Sequence, residues 1–171
     1  PNALSHILFN MLTLFFLGPY VEMKLGARKF LIFYLACGFG AMGLHLGIDY
    51  LEFLNITKDL SSSELQRVFE TGYLPSSMTP DQIQKFREIY NIPVVGASGA
   101  IYGVLIAFAM LFPNTRLMLL IPPIPIKAKY LALILIAFDL FSGISGSRTG
   151  IAHFAHLGGA LMGFLMLTYW K

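Results

Sequence analysis

Apolar residues fall into five blocks, about 3–20, 29–48, 94–112, 128–142 and 150–170, separated by stretches rich in proline, glycine or charge. The pattern predicts five helices, several a little short of the roughly 20 residues that cross about 30 Å of hydrocarbon. Proline and glycine stand at the block margins (Gly18-Pro19, Gly26, Pro93, Pro113, "PPIP" at 122–125, Gly143, Gly146, Gly150), where helices are expected to end. Residues 49–93 break the pattern and hold seven of the nine acids. Within them "SSSELQRVFE" reads as a helix capped by Ser61, with Glu64 completing a capping box and Leu65, Val68 and Phe69 on one face. "TPDQIQKFREIY" reads as a second, with Thr79 as cap, Pro80 at the first helical position, Gln82 three after the cap, and Ile83, Phe86 and Tyr90 as its stripe. The segment is expected to be a small amphipathic subdomain resting on the membrane face or on the helices.

Composition sets the class. The chain has 171 residues, 56% hydrophobic and 12% charged, where soluble domains carry about 25% charged residues. It is therefore a membrane protein by composition, and with the five predicted helices an all-α polytopic one. The single cysteine, Cys37, lies inside an apolar block and has no partner for a disulfide. The chain opens on Pro1 with no charged region ahead of an apolar run, so no signal peptide is read. The expectation is a chain truncated at its N-terminus. If the segments alternate, one side holds Lys24, Arg28, Lys29, Arg116, Lys127, Lys129 and Lys171 against Glu22. The other holds Lys58, Arg67, Lys85, Arg87 and Arg148 against eight acids. By the positive-inside rule, residues 49–93 and the "GISGSRTG" loop face outward.

Candidate chemistry begins with Ser98, a hydroxyl at the head of the third block. A helix from Ser98 to Phe112 is about 22 Å long, roughly 8 Å short of the hydrocarbon thickness. With its inner end at Pro113, Ser98 lies below the outer surface, and "IPVVG" dips in to meet it. The bland alternative is a packing serine whose hydroxyl bonds a carbonyl one turn earlier. His156, six residues after Gly150, lies at a similar depth, about 9 Å below the outer end. Gly159 and Gly163 share its helical face, and the third block carries Gly99 and Gly103. Two small-residue stripes let helices approach closely, which suits a nucleophile and its general base. His6 and Asn10, at i and i+4, can both donate to a developing oxyanion, or simply form a helix–helix contact. His153 is read as solvated near the outer end of its helix, and Asp139 as solvated or paired with Arg148 near the outer end of the fourth. No carboxylate is then placed to orient His156, and the arrangement reads as a Ser–His dyad.

Together "GASGAIYG", "AHFAHLGGALMG" and "HILFN" resemble the rhomboid intramembrane serine proteases over nearly the whole chain. "GPYVEMKLG" is similar to the family's loop after the first of these helices. The resemblance implies one rhomboid-like membrane domain over 1–171 with 49–93 as an extramembrane insertion. It also implies a first core helix, with its large outer loop, ahead of His6. Ser98 would be the nucleophile and His156 the base. His6, Asn10 and the Ser98 backbone N–H would form the oxyanion hole. Tyr102 would stack on His156, and Gly96, Gly99, Gly159 and Gly163 would support the site. The implied substrates are transmembrane helices of other membrane proteins, cut near their outer end beside a small residue and admitted from the bilayer past the fourth segment. Residues 142–150 match the family's cap in position. The implied home is the bacterial cytoplasmic (inner) membrane, with the site opening outward. The position of 49–93 near the cavity mouth suits covering the site or contacting substrate ectodomains.

The alternative is a catalytically inactive rhomboid-like chaperone or adaptor, although both Ser98 and His156 are retained. No HExxH, paired intramembrane acids, G-x-S-x-G elbow or inverted repeat is present. No metal, cofactor or nucleic acid is implied. A histidine base without an acidic partner should be neutral by about pH 7, so cleavage is expected to rise from about pH 5 to pH 7.5.

Overall fold

The computed structural model describes residues 3–91, 96–119, 123–145 and 152–170. Seven helices lie along them: α1 (Ala3–Leu25), α2 (Ala27–Thr57), α3 (Ser62–Thr71), α4 (Pro80–Asn91), α5 (Gly96–Leu111), α6 (Ala128–Ile144) and α7 (His153–Trp170). Two three-residue strands, β1 (Arg116–Met118) and β2 (Pro125–Lys127), pair antiparallel between α5 and α6. This hairpin departs from the all-α reading. It lets Thr115 and Pro113 accept hydrogen bonds from Ala128 and Lys129, the first residues of α6. The "IPVVG" stretch ahead of Gly96 and the loop 146–150, with Arg148, lie outside the described residues.

Each of the five apolar blocks carries a helix, but Gly18-Pro19 ends nothing. α1 runs through Pro19 to Leu25, so "GPYVEMKLG" is helix up to its last glycine and not a loop. Proline removes one backbone bond, but a chain in hydrocarbon has no water to pair its backbone if it leaves the helix. The turn is made by Gly26 alone, at φ +79°, a left-handed conformation that only glycine adopts without strain. Its N–H donates to Glu22 O and its carbonyl accepts from Phe30 N. Among the described residues, α1 (over Leu4–Leu25) and α2 are long and apolar enough to cross a membrane, and α5 is a shorter apolar helix.

The chain divides into two compact units, one of Pro1–His45 with Val94–Lys171, the other of Leu46–Pro93. In the first, Tyr20 packs edge-on against Phe108 and, one turn on along both helices, Lys24 lies over Phe112, so α1 and α5 run in the same sense. Gly99 faces Gly159 and Gly103 faces Gly163, which gives α5 and α7 the same sense too. Cys37 faces Gly103 and Ala41 faces Gly99, so α2 runs opposite. Lys24 lies over Phe112, Lys29 over Trp170 and Lys129 over Tyr130, collecting basic residues at the end where α5 and α7 finish. Large apolar side chains point outward, among them Phe15 (72% exposed) and Ile144 (75%), while Ser98, Asp139, His153 and His156 are buried. Apolar outside and polar inside is the arrangement hydrocarbon selects.

In the second unit, Ile56, Val68, Met78 and Phe86 form a small core. Both predicted caps form. Gln82 Oε1 accepts from Thr79 N at 2.8 Å and Thr79 Oγ1 accepts from Gln82 N at 3.3 Å. At Ser61 the hydroxyl accepts from Glu64 N at 3.3 Å, and Glu64 Oε2 accepts from Ser61 N at 2.9 Å. The two stripes are only partly buried, because Phe69 and Tyr90 stay exposed while Val68 and Phe86 take the core. The Ser61 hydroxyl and then its backbone N–H hold the Glu64 carboxyl below its ordinary value of 4.5. A carboxyl depressed by folding stabilises above its unfolded pKa and loses that contribution as pH falls through the folded one. Hydrogen exchange is therefore expected to show α3 amides losing protection, relative to α4, as pH falls below about 4.5. Glu64→Gln should remove that pH dependence; an unchanged profile in the variant would exclude the cap as its source.

Candidate active site

The site is built where α5 and α7 cross. A Cβ at Gly159 would overlap the backbone carbonyl of Gly99, and one at Gly99 would lie 3.0 Å from Ala155 O. One turn on, a Cβ at Gly163 would lie 2.9 Å from Gly103 Cα. Both stripes read from the sequence thus meet, and α2 adds a third through Gly40, Ala41 and Cys37. With no side chains between them, α5 and α7 touch backbone to backbone. Ser98 and His156 are the neighbours of Gly99 and Ala155 at this crossing, 6% and 7% exposed. Tyr102, one turn after Ser98, stacks on the His156 ring with centroids 4.1 Å apart and planes 9° apart. Gly96 is the first residue of α5, two positions ahead of the expected helix start at Ser98.

From the contact of Tyr20 with Phe108, ten residues back along both helices brings Asn10 level with Ser98, at about 1.5 Å per residue on each. His6 is one turn further. Its Nε2 is buried and has no hydrogen-bond partner among the described residues.

Asp139 overturns the expectation that no carboxylate orients His156. It is 1% exposed, and both its oxygens lie 3.3 Å from His156 Nδ1. Its Oδ1 is 2.6 Å from His153 Nδ1. His153 is buried as well, with the edge of its ring 74° to Phe138. The reason lies in the length of α6, which continues to Ile144. Asp139 therefore sits about 7.5 Å inside the helix end, not at it. The bare dyad and its pH expectation lose their premise. The available signal was an acid within an apolar block, which is a functional-site candidate wherever it faces other helices.

Helices that face outward with apolar side chains and hold a serine, histidines and a carboxylate inside define a membrane-embedded protein with a polar interior site. The chain belongs to the rhomboid family: the Rhomboid domain matches residues 3–170. It is 30% identical over 169 residues to the rhomboid protease AarA of Providencia stuartii, covering 95% of this chain and 50% of that protein. It is 38% identical over 73 residues to the mitochondrial Rhomboid protein 1 of Saccharomyces cerevisiae, covering 43% of this chain and 21% of that one. The mitochondrial RHOMBOID-like protein 12 of Arabidopsis thaliana is 29% identical over 157 residues, 92% of this chain and 40% of the relative. The chain spans half or less of the length of these relatives. No solved structure matches it significantly.

Proposed function

We propose that the chain is an intramembrane serine endopeptidase that cleaves transmembrane helices of other membrane proteins near their outer end. The crossing at Gly99 and Gly159 carries this reading, because it sets buried Ser98 and His156 on adjoining steps of two helices in backbone contact. Ser98 Oγ attacks the scissile carbonyl carbon, its proton passes to His156 Nε2, and the carbonyl oxygen takes the negative charge. Collapse breaks the C–N bond, and His156 returns the proton to the leaving amine. Water then repeats the sequence on the acyl-enzyme and frees Ser98. Tyr102 holds the His156 ring through the stack.

His6, Asn10 and the Ser98 N–H are the proposed oxyanion donors. The buried His6 Nε2, which has no partner among the described residues, supports this, since such an atom is costly unless an acceptor arrives with the substrate. His6→Ala is expected to lower kcat by about 10²- to 10³-fold with little change in KM. A loss confined to KM would place His6 in substrate binding instead.

The basic end of the helices faces the cytoplasm or its organellar equivalent, and the site opens at the other face. Residues 49–93 form an extramembrane insertion on that outer side. A bacterial cytoplasmic membrane suits the likeness to AarA, and a mitochondrial membrane suits the two relatives named as mitochondrial. The test is labelling with a fluorophosphonate probe in nanodiscs, the adduct located by mass spectrometry. An adduct on Ser98 that requires His156 is the expected result. A folded protein that takes no label favours an inactive rhomboid-like chaperone or adaptor.

A further inference from the structure

We propose that Asp139 and His153 are positioning residues that fix the tautomer of His156, an inference that rests on the serine-protease reading above. The carboxylate belongs to α6, while the two histidines it touches, His153 and His156, belong to α7. An ionised carboxylate has only acceptors to offer. Each ring nitrogen facing it must then donate: Nδ1–H of His153 and Nδ1–H of His156. With the proton of neutral His156 held on Nδ1, the lone pair is left on Nε2, the nitrogen that must receive the Ser98 proton. The opposite tautomer would present Nε2–H to the nucleophile and could accept nothing from it. A neutral imidazole in water populates both forms, so selecting one is a contribution that the crossing of α5 and α7 cannot make.

The two histidine contacts are unequal, and the inequality assigns the roles. His153 lies 2.6 Å from Oδ1 alone, a short charge-assisted bond. His156 lies 3.3 Å from both oxygens, a long and shared one. His153 therefore anchors the carboxylate, and His156 reads its position. The long bond can shorten as Nε2 takes the serine proton and the ring becomes cationic, so the interaction is strongest when the transition state forms. Phe138, the neighbour of Asp139, meets the His153 ring edge-on at 6.0 Å and limits its rotation. A carboxylate 1% exposed would be costly without such donors. No proton leaves Asp139 at any step; the proton moves only between Ser98, His156 and the leaving amine or water.

The test uses the protein in nanodiscs with two readouts, the rate of fluorophosphonate labelling and the 15N shifts of the His156 ring. Asp139→Asn, whose amide can donate to Nδ1 and drive the proton to Nε2, is expected to slow labelling by about 10²- to 10⁴-fold. It should also move His156 from the Nδ1–H to the Nε2–H form. His153→Phe is expected to slow labelling by about 10-fold and to mix the two forms, while His153→Asn, which keeps a donor, recovers most of the rate. A role in stability alone would lower the folded fraction and leave the tautomer of the remaining fold untouched. Labelling within about threefold of the parent, with Nδ1–H retained in Asp139→Asn or, should that variant not fold, in His153→Phe, overturns the proposal. A parent that takes no label yet shows an Nδ1–H that these substitutions erase would refute the protease reading and leave the positioning role standing.

Discussion

Replacing Ser98 with alanine is expected to lower peptide-bond hydrolysis by about 10⁶-fold, leaving the residual rate that an oxyanion hole and binding supply alone. The size follows from covalent catalysis. Without Oγ no acyl-enzyme forms, and His156 is left to activate a water that has no fixed position. The substitution is otherwise mild. Alanine is the best helix former, and the side chain shrinks by one atom in a helix otherwise packed through its glycines. Loss of one hydroxyl hydrogen bond costs about 1 kcal/mol. Activity and stability should therefore separate cleanly. Cleavage of a transmembrane substrate in proteoliposomes, read beside the thermal unfolding curve, checks both. Cleavage persisting in a folded Ser98→Ala protein would remove Ser98 as the nucleophile, and with it the dyad.

The parts of this fold legible in the sequence are those set by local chemistry. The capping boxes at Ser61 and Thr79 need only a side chain and a backbone three residues apart, and both form as read. The Gly99/Gly103 and Gly159/Gly163 stripes were legible because only small residues permit backbone contact. The stacking of Tyr102 on His156 agrees with the family likeness. Illegible were the features decided by the medium and by distant partners. Pro19 looks like a helix end to a rule drawn from water, where a broken backbone is resolvated. In hydrocarbon α1 continues to Leu25. Asp139 and His153 each looked solvated at the end of their own segment. Their burial emerges only when α6, running opposite to α7, lays its last turns against the first turn of α7. The α2 contribution of Gly40, Ala41 and Cys37 was hidden because, on a helix apolar all round, no periodicity marks the contact face.

Substituting Gly159 by alanine is expected to be the most damaging single methyl among the described glycines. Its Cβ would overlap the Gly99 carbonyl oxygen, with the carbonyl carbon only 2.5 Å away. Those are backbone atoms of a helix, so no rotamer change can clear them. α5 and α7 must separate, which breaks the close packing of both with α2. Overpacking of this kind costs about 1–3 kcal/mol and more where the backbone itself must move. The functional loss should exceed the loss of stability. A separation of about 1 Å is enough to take a nucleophile out of line with its base, at a cost near 10²-fold. Gly43 provides the control, because a Cβ there meets nothing within 4 Å. Within α2, Gly43→Ala should stabilise by up to about 1 kcal/mol through helix propensity alone. Thermal unfolding and probe labelling of the two variants, each one methyl larger than the parent, distinguish backbone contact from composition. If Gly159→Ala unfolds and labels like Gly43→Ala, the two backbones are not in contact and Ser98 does not sit beside His156.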